Sequence, residues 1–259
     1  MSVSRDTLVE TCNEWLKPEA LSDYCPNGLQ IQGKADVSKV VAGVTASRAL
    51  IERAIEARAD VLLVHHGFFW KGEPLPITGH RYERISRLIK HDINLLAYHL
   101  PLDVHPTLGN NAELARILGL RWEGSLAEQN ALALGGVGRC ESPTGLSDFA
   151  RRVQQALGRA PQVIEGQTDA MASNRPVHRI GWCTGAAQGY FEQAIAKGVD
   201  LYISGEISEP TVHLARESGV HYMAAGHHAT ERYGVQALGK ALATHFQLAF
   251  EYIEISNPV

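Results

Sequence analysis

The sequence predicts an α/β protein of two similar lobes, each built on a mainly parallel or mixed sheet that helices flank. Short apolar runs alternate with segments whose apolar residues recur at helical spacing, which is the pattern of βαβ units. Three consecutive segments also recur later in the chain: 41–44, 51–55 and 60–63 reappear as 180–183, 191–195 and 200–203. An internal duplication of one βαβ module is the simplest explanation of this repeat.

The length of 259 residues lies between that of one large domain and that of two small ones. We place the first lobe in residues 1–125 together with 226–259, and the second lobe in residues 126–225. The parallel crossover of each βαβ unit is expected to be right-handed. A dinuclear metal site is expected between the lobes, with the first lobe carrying its ligands.

The first lobe is predicted to begin with a helix, because Ser4 can cap it and because Leu8 and Cys12 share one face. Pro18 ends this helix. A turn and a short strand follow in residues 23–33. The remaining elements, in order, are a strand at 40–45, a helix at 49–58, a strand at 61–64, a helix at 82–90, a strand at 93–98, a loop rich in Pro, Gly and Asn at 101–111, and a helix at 112–118.

The second lobe is predicted to alternate strands and helices in the same way. The helix at 146–157 is the clearest, because Phe149, Val153 and Leu157 recur on one face. The other elements are a strand at 131–140, a strand at 162–164, a polar loop at 167–176, the repeated βαβ module and a buried strand at 220–225. A last helix at 232–246 carries an apolar stripe and returns the chain to the first lobe.

Composition excludes several classes of protein. The chain is 45% hydrophobic and 20% charged, with a net charge of -4, and no run of Lys or Arg exceeds two residues. A nucleic-acid partner is therefore not indicated. No apolar run approaches the roughly 20 residues of a membrane helix, so we expect a cytoplasmic protein. The four cysteines form no C-x-x-C pair and are expected to be reduced thiols in or near the core.

The strongest chemical signal is the segment Gly226-His227-His228-Ala229-Thr230-Glu231, which joins the 220–225 strand to the last helix. His227 and Glu231 are four residues apart, so they lie one above the other on the helix. Counting on from Glu231 reaches the apolar stripe, so both polar groups face inward. An unpaired buried carboxylate costs several kcal/mol, and a divalent metal is a partner that suits both groups.

Two other predicted strands end in candidate ligands. The 61–64 strand stops at His65 and His66, and the 93–98 strand stops at His99, with Asp103 four residues later. The carboxyl ends of parallel strands share one edge of a sheet, where ligands of α/β proteins collect. The sequence therefore predicts a metal site at that edge. Its predicted ligands are His65, His66, Asp103, His227 and Glu231.

Five ligands exceed the three or four that a single catalytic zinc takes from a protein, so two divalent ions are predicted. Two such ions can share a bridging water and lower its pKa towards neutrality. Glu231 is the candidate bridging carboxylate, because it lies one helical turn from His227. Nitrogen and oxygen ligands without sulfur fit Zn, Fe, Mn or Ni, and the sequence does not distinguish among these metals.

Three more residues are candidates for moving protons. His99 and His228 lie next to proposed ligands and are expected to orient them or to meet the substrate. Glu206 takes the place in the second copy that His66 has in the first. It is expected to act as a general base or to accept a hydrogen bond from a ligand. The alternative is that Glu206 is an ordinary surface carboxylate and that the histidines are unrelated residues at loop ends.

Several blocks of the sequence together resemble the family labelled GTP cyclohydrolase 1 type 2 homologues, also called Nif-three-like. The blocks are 26–30, 64–70, 99–103, 108–112 and 226–231, and the likeness runs nearly end to end. The resemblance implies two similar α/β lobes, a dinuclear metal centre with the five ligands named above, and a ring-shaped homohexamer. The family name implies hydrolytic opening of the guanine ring of GTP.

Two functions of different classes follow. The first is a metal-dependent hydrolase of a nucleotide or another small polar substrate, with Glu206, His99 or His228 moving protons. The second is a non-catalytic protein that binds or delivers metal or that regulates a partner enzyme. The sequence has no P-loop, no Rossmann fingerprint and no obvious triphosphate cradle of Lys and Arg, which argues against GTP in particular.

Overall fold

The structure is a computed structural model that describes residues 2–129, 132–167 and 175–259. The chain divides into two compact units. We call Met1–Leu108 with Gly234–Ser256 the first lobe, and Gly109–Tyr233 with Asn257–Val259 the second lobe. The sequence-based division placed the boundaries after residues 125 and 225 instead. The segment 226–233, with two predicted ligands, consequently belongs to the second lobe.

The first lobe contains one five-stranded sheet and a two-stranded ribbon. In chain order its first elements are β1 (Val3–Ser4), α1 (Arg5–Leu16), β2 (Gly28–Ile31), β3 (Asp36–Val37), β4 (Lys39–Thr45), α2 (Arg48–Glu56), β5 (Val61–His66), α3 (Gly79–Lys90), β6 (Asn94–Ala97) and α4 (Leu100–Val104). Ser4 caps α1 as predicted, because its Oγ accepts a hydrogen bond from the N–H of Thr7 at 3.1 Å.

The second lobe contains a six-stranded sheet. Its elements are α5 (Asn110–Leu118), β7 (Leu120–Gln129), β8 (Leu132–Thr144), α6 (Leu146–Leu157), β9 (Gln162–Ile164), β10 (Val177–Trp182), α7 (Phe191–Ala196), β11 (Leu201–Ser204), α8 (Glu209–Ser218) and β12 (His221–Ala224). Two elements follow: α9 (His227–Phe246), whose residues after Tyr233 belong to the first lobe, and β13 (Ala249–Tyr252) of the first lobe.

The two sheets share one arrangement of four strands. In the first lobe the strand order is β13-β4-β5-β6-β2, with β4, β5 and β6 parallel and β2 antiparallel beside β6. In the second lobe the order is β7-β8-β10-β11-β12-β9, with β10, β11 and β12 parallel and β9 antiparallel beside β12. The prediction of two similar α/β lobes is confirmed.

The repeat extends to two matching sets of hydrogen bonds. Asp60 precedes β5, and Asp200 precedes β11. Each carboxylate accepts hydrogen bonds from the N–H groups of two consecutive residues and pairs with a basic side chain. The partners are Ser38, Lys39 and Lys34 for Asp60, and His178, Arg179 and Arg175 for Asp200. A duplicated module that keeps its hydrogen bonds explains why both aspartates are present.

Both faces of each parallel trio are covered by apolar packing. Along β5, Leu62 and Val64 belong to one hydrophobic cluster, whereas Val61 and Leu63 belong to another. Alternate residues of a strand point to opposite faces, so the sheet is buried on both sides, as parallel sheets are. The predicted stripe of α9 packs into the second of these clusters through Val235 and its helical neighbours.

Some predicted elements differ from the structure. The predicted loop at 101–111 is wrong at both ends, because α4 covers Leu100–Val104 and α5 begins at Asn110. Pro101 lies in the first turn of α4, where proline is well tolerated, so it does not signal a loop here. The strand β7 and the helix α8 were not predicted. Residue 131 of the predicted 131–140 strand and residues 168–174 of the predicted loop lie outside the described part.

Among residues 2–129, 132–167 and 175–259, the structure contains no helix with the length and apolar character that a bilayer span requires. The four cysteines are free and buried, as predicted.

Candidate metal centre

The first lobe presents two adjacent histidines at the end of β5. His65 is fully buried, and its Nδ1 lies 2.9 Å from the carbonyl oxygen of Tyr98. A carbonyl only accepts hydrogen bonds, so His65 carries its proton on Nδ1 and leaves Nε2 as a ligand atom. His66 Nδ1 lies 3.0 Å from the hydroxyl of Thr45, which ends β4 opposite His66. Each ring is therefore oriented through Nδ1, and Nε2 is the nitrogen that could bind a metal ion.

Two further predicted site residues lie near the end of β5. His99 follows β6, and Asp103 lies in α4. Asp103 is buried, and its Oδ1 lies 3.5 Å from Nε2 of His65. The ring of His99 has its centroid 5.1 Å from that of His65 and 5.9 Å from that of His66. One ligand atom from each of these three histidines lies within 4.8 Å of the others, a spacing that fits shared binding of an ion. The first lobe thus brings together four predicted site residues.

Cys25 and Asp23 adjoin this group. A second set of candidate ligand atoms, from Asp23, Cys25 and His99, also lies within 4.8 Å. Burial, and to a lesser extent the charge of Asp23, raises the pKa of Cys25 to about 12. Burial alone would raise the pKa of Asp23, but hydrogen bonds from His99, Asn27 and Tyr24 outweigh it and lower that pKa. Asp23 is therefore ionised at neutral pH, whereas Cys25 is a neutral thiol.

The second lobe presents His227 at the start of α9, held between two carboxylates. Its Nδ1 lies 2.6 Å from Oε1 of Glu206, and its Nε2 lies 2.9 Å from Oε2 of Glu231. Burial alone would lower the pKa of His227, but the hydrogen bonds and charges of Glu231 and Glu206 outweigh it and raise the pKa to about 9. An ion that binds Nε2 takes the place of the proton there.

Two glycines make room for this second group. At Gly185, which has a φ of +68°, an added Cβ would overlap Oε1 of Glu231. At Gly205 an added Cβ would lie 2.7 Å from the Cα of His227. Real Cβ atoms do not approach other atoms so closely, so both positions require glycine. The Glu231 carboxylate thus requires glycine at position 185, and the start of α9 requires glycine at position 205.

Other histidines near the ligands have different surroundings. His228 is buried in the first turn of α9, and its backbone N–H donates to the carbonyl oxygen of Val259 at 3.0 Å. His105, which sequence reasoning left out of the site, accepts hydrogen bonds through Nδ1 from the N–H groups of Thr107 and Leu108. Its ring caps the loop before α5. Of the eight predicted site residues, four lie in each lobe.

Sequence reasoning missed two residues that orient predicted site histidines: Asp23, which contacts His99, and Thr45, which contacts His66. Thr45 ends β4 as His66 ends β5, so the shared edge of the parallel strands was the signal that could have identified it. Asp23 begins a turn that contains Pro26 and Asn27, and such turns were read only as local structure. The donor set fits divalent metals, because its imidazole and carboxylate groups are buried or half-buried and hydrogen bonds through Nδ1 orient the histidine rings.

Comparisons with known proteins agree along the whole chain. The family model described as Duf34/NIF3 (NGG1p interacting factor 3) matches residues 3–258. A protein of Pseudomonas aeruginosa named GTP cyclohydrolase 1 type 2 homolog is 51% identical over 258 residues, which is 100% of both chains. A protein of Vibrio cholerae with the same name is 50% identical over 248 residues, covering 95% of this chain and 96% of the relative.

Solved structures show the same fold. The chain described as protein ybgI, of unknown function, aligns with a TM-score of 0.92 at 43% identity and covers 99% of this chain and 100% of its own. The protein TTHA1606 from Thermus thermophilus aligns with a TM-score of 0.86 at 35% identity, with coverage of 99% and 100%. The likeness therefore includes both lobes and is not limited to one βαβ unit.

Proposed function

The chain belongs to the Duf34/NIF3 family, and on that premise we propose that it is a metal-dependent hydrolase of a nucleotide or another small polar substrate. One observation carries this proposal. In each lobe a buried or half-buried histidine has its Nδ1 held by an acceptor, Tyr98 for His65 and Glu206 for His227. Such orientation through the second ring nitrogen is typical of histidines that bind metal.

We propose further that five side chains act as one dinuclear centre for Zn, Fe, Mn or Ni. Support comes from the donor set, since three imidazoles and two carboxylates exceed the needs of one ion. A pair of divalent ions would supply Lewis-acid activation of water and of a polar substrate group. The proposed ligands are His65, His66, Asp103, His227 and Glu231.

The protein's own residues have defined tasks in this proposal. Tyr98 and Glu206 accept hydrogen bonds from Nδ1 of His65 and His227, so that Nε2 of each ring would be the atom that holds an ion. Glu206 is half-buried and is also placed to take a proton at Oε2 while Oε1 holds His227. We propose that His99 and His228 transfer protons to or from the substrate through their ring nitrogens.

GTP is the first substrate to test, because the relatives are named as homologues of a GTP cyclohydrolase. We do not restrict the proposal to GTP, because the sequence shows no P-loop and no cluster of Lys and Arg that would cradle a triphosphate. The broader substrate class, a nucleotide or small polar molecule, requires only that a polar group reach the metal.

The test is turnover of a panel of nucleotides by metal-loaded protein and by the Glu231→Gln variant. We expect metal-dependent release of product by the wild type and a loss of more than about 100-fold in the variant, because a ligand that binds an ion contributes several kcal/mol to catalysis. Elemental analysis of the same samples should show fewer ions bound per chain in the variant. The matched control is Glu217→Gln, an exposed carboxylate of the same lobe.

Two outcomes would contradict the proposal in different ways. Wild-type protein that retains metal but turns over no member of the panel would favour a non-catalytic metal-binding or metal-delivery protein. Protein that binds no divalent ion under any loading condition would exclude both functions. A homohexamer and a cytoplasmic location remain proposals as well. Light scattering of the purified protein tests the first, and cell fractionation tests the second.

A further inference from the structure

The carboxylate of Asp23 is one of the most fully bonded side chains of the first lobe. Its side chain is only 4% exposed, and it accepts four hydrogen bonds. The donors are Nδ1 of His99 at 2.7 Å, the N–H of Tyr24 at 2.6 Å, Nδ2 of Asn27 at 2.8 Å and the N–H of Leu100 at 3.0 Å. A buried carboxylate with this many donors is ionised and fixed in one orientation.

Asn27 completes the attachment of this turn to β6. Its side-chain oxygen accepts a hydrogen bond from the backbone N–H of His99 at 2.7 Å, while its amide nitrogen donates to Asp23. The turn therefore holds the ring of His99, the N–H of His99 and the N–H of Leu100 at once. None of these contacts is required by the sheet, since β6 ends at Ala97.

These contacts determine which ring nitrogen of His99 carries the proton. An ionised carboxylate only accepts hydrogen bonds, so the 2.7 Å contact requires a proton on Nδ1 of His99. In the neutral imidazole, Nε2 then presents a lone pair. This is the same arrangement that His65 has through the carbonyl of Tyr98.

The ring of His99 is also confined on its other sides. The ring of Trp70 meets it edge to face, with centroids 5.0 Å apart and planes at 82°. The rings of His65 and His66 lie 5.1 and 5.9 Å away. Because Asp23 occupies Nδ1, Nε2 is the atom of His99 that can join the ligand group of the two neighbouring histidines.

We propose that Asp23 is a positioning residue that fixes His99 as the Nδ1–H tautomer, with Nε2 available to a metal ion or to a proton of the substrate. The proposal rests on the proposed function, because only a working site gives this orientation a chemical use. Asp23 itself touches no ion or substrate in this proposal. It acts through His99, and Asn27 supports it by holding the backbone.

The test is nuclear magnetic resonance of protein labelled with ¹⁵N at histidine and stripped of metal, recorded at about pH 8, above the ordinary pKa of imidazole. The His99→Gln variant identifies the signals of His99. We expect the Nδ1–H pattern for His99 in the wild type. In Asp23→Ala we expect the Nε2–H form to dominate, as it does for imidazole side chains in water, and in Asp23→Glu we expect partial return of the Nδ1–H pattern.

Asp36→Ala is the matched control, because Asp36 is an exposed aspartate of the same lobe and should leave the His99 signals unchanged. An Nε2–H pattern in the wild type would overturn the proposal, whether or not Asp23→Ala folds. An unchanged Nδ1–H pattern in folded Asp23→Ala would overturn it as well. In metal titrations we expect Asp23→Ala to weaken affinity about 10-fold to 100-fold.

The spectroscopic result is independent of turnover. If the wild type hydrolyses no substrate, the proposed function fails, yet the tautomer of His99 still tests the role of Asp23. If the wild type is active and the tautomer does not depend on Asp23, only the positioning role fails.

Discussion

The two lobes place a histidine and an acid at the end of the same strand but use the acid differently. In the first lobe β6 leads to His99 and Asp103, and in the second lobe β12 leads to His227 and Glu231, with a spacing of four residues in each. Asp103 contacts His65 of the neighbouring strand at 3.5 Å, whereas Glu231 contacts His227 of its own helix at 2.9 Å. One duplicated scaffold therefore directs its carboxylate at a different imidazole in each copy.

One equivalent position near the end of the middle strand accounts for this difference. It holds His65, the last but one residue of β5, in the first lobe and Gly205, which directly follows β11, in the second. An added Cβ at Gly205 would lie 2.6 Å from the carbonyl oxygen of Gly185 and 2.7 Å from the Cα of His227. The start of α9 fills the space that a side chain would need. Backbone packing, and not the strand motif, decides which lobe can carry an imidazole on its middle strand.

The largest effect is expected from Gly205→Ala, which inserts a methyl group against fixed backbone. We expect a loss of about 3 kcal/mol in the free energy of unfolding, at the upper end of the cost of overpacking. Urea denaturation measures it. The control is Gly189→Ala, where an added Cβ meets no heavy atom within 4 Å and the change should stay within about 0.5 kcal/mol. Equal stability of the two variants would refute the packing argument.

The next effect tests whether the duplicated aspartates have equal roles. Asp60→Asn and Asp200→Asn each replace an acceptor of two backbone N–H groups, so each should lower the free energy of unfolding by about 2 kcal/mol. We expect the larger loss for Asp60, whose side chain is 9% exposed against 16% for Asp200. Asp36→Asn, an exposed site, serves as the control. If only one of the two variants lost stability, Asp60 and Asp200 would not have equivalent roles in the two lobes.

The same aspartates predict a dependence on pH. Burial alone would raise both pKa values, but hydrogen bonds from Lys34 and Ser38 to Asp60, and from Arg175 and Arg179 to Asp200, outweigh it and lower them. The folded pKa lies below the unfolded one, so the stabilisation is complete above about pH 4 and is lost as the pH falls through the folded values. The free energy of unfolding, measured as a function of pH, should therefore fall less steeply in acid for Asp60→Asn and Asp200→Asn than for the wild type.

The smallest effect concerns Glu206, the residue that the second lobe has in place of His66. Glu206→Gln removes the charge beside Nδ1 of His227 and should weaken metal affinity about tenfold, because acceptors behind ligand histidines have effects of that size. Metal titration against a competing chelator measures this change. Glu209→Gln, at an exposed pair with His213, is the control. Unchanged affinity in Glu206→Gln would show that Glu206 is only a surface carboxylate.

The fold followed from the sequence where periodicity and repetition were strong. The βαβ module, the Ser4 cap and the apolar stripe of α9 are local patterns, and the structure contains all three. The elements that were missed lack such patterns. For example, β7 includes Glu123, Gly124 and Ala127, residue types that are depleted in strands, and its pairing with the adjacent strand β8 stabilises it. Pro101 led to the wrong prediction of a loop, because proline is common both in loops and in the first turn of a helix.

The candidate site was predictable to the level of residue type and strand end. Parallel strands share an edge, so His65, His66 and Asp103 could be grouped from the sequence, and the structure groups them in the first lobe. The orienting partners could not be inferred in this way. Asp23 reaches His99 across 76 positions of the chain, and Tyr98 holds His65 through a carbonyl that every residue type possesses. Such contacts depend on tertiary packing.

The buried thiol of Cys25 has a consequence for metal selection. With a pKa of about 12, Cys25 keeps its proton at physiological pH, and the thiolate is the form that captures soft ions. Copper(I) and similar thiophilic cations would therefore have to displace this proton before they bind the sulfur. Burial of Cys25 consequently disfavours such ions at neutral pH relative to ions that bind through imidazole and carboxylate alone.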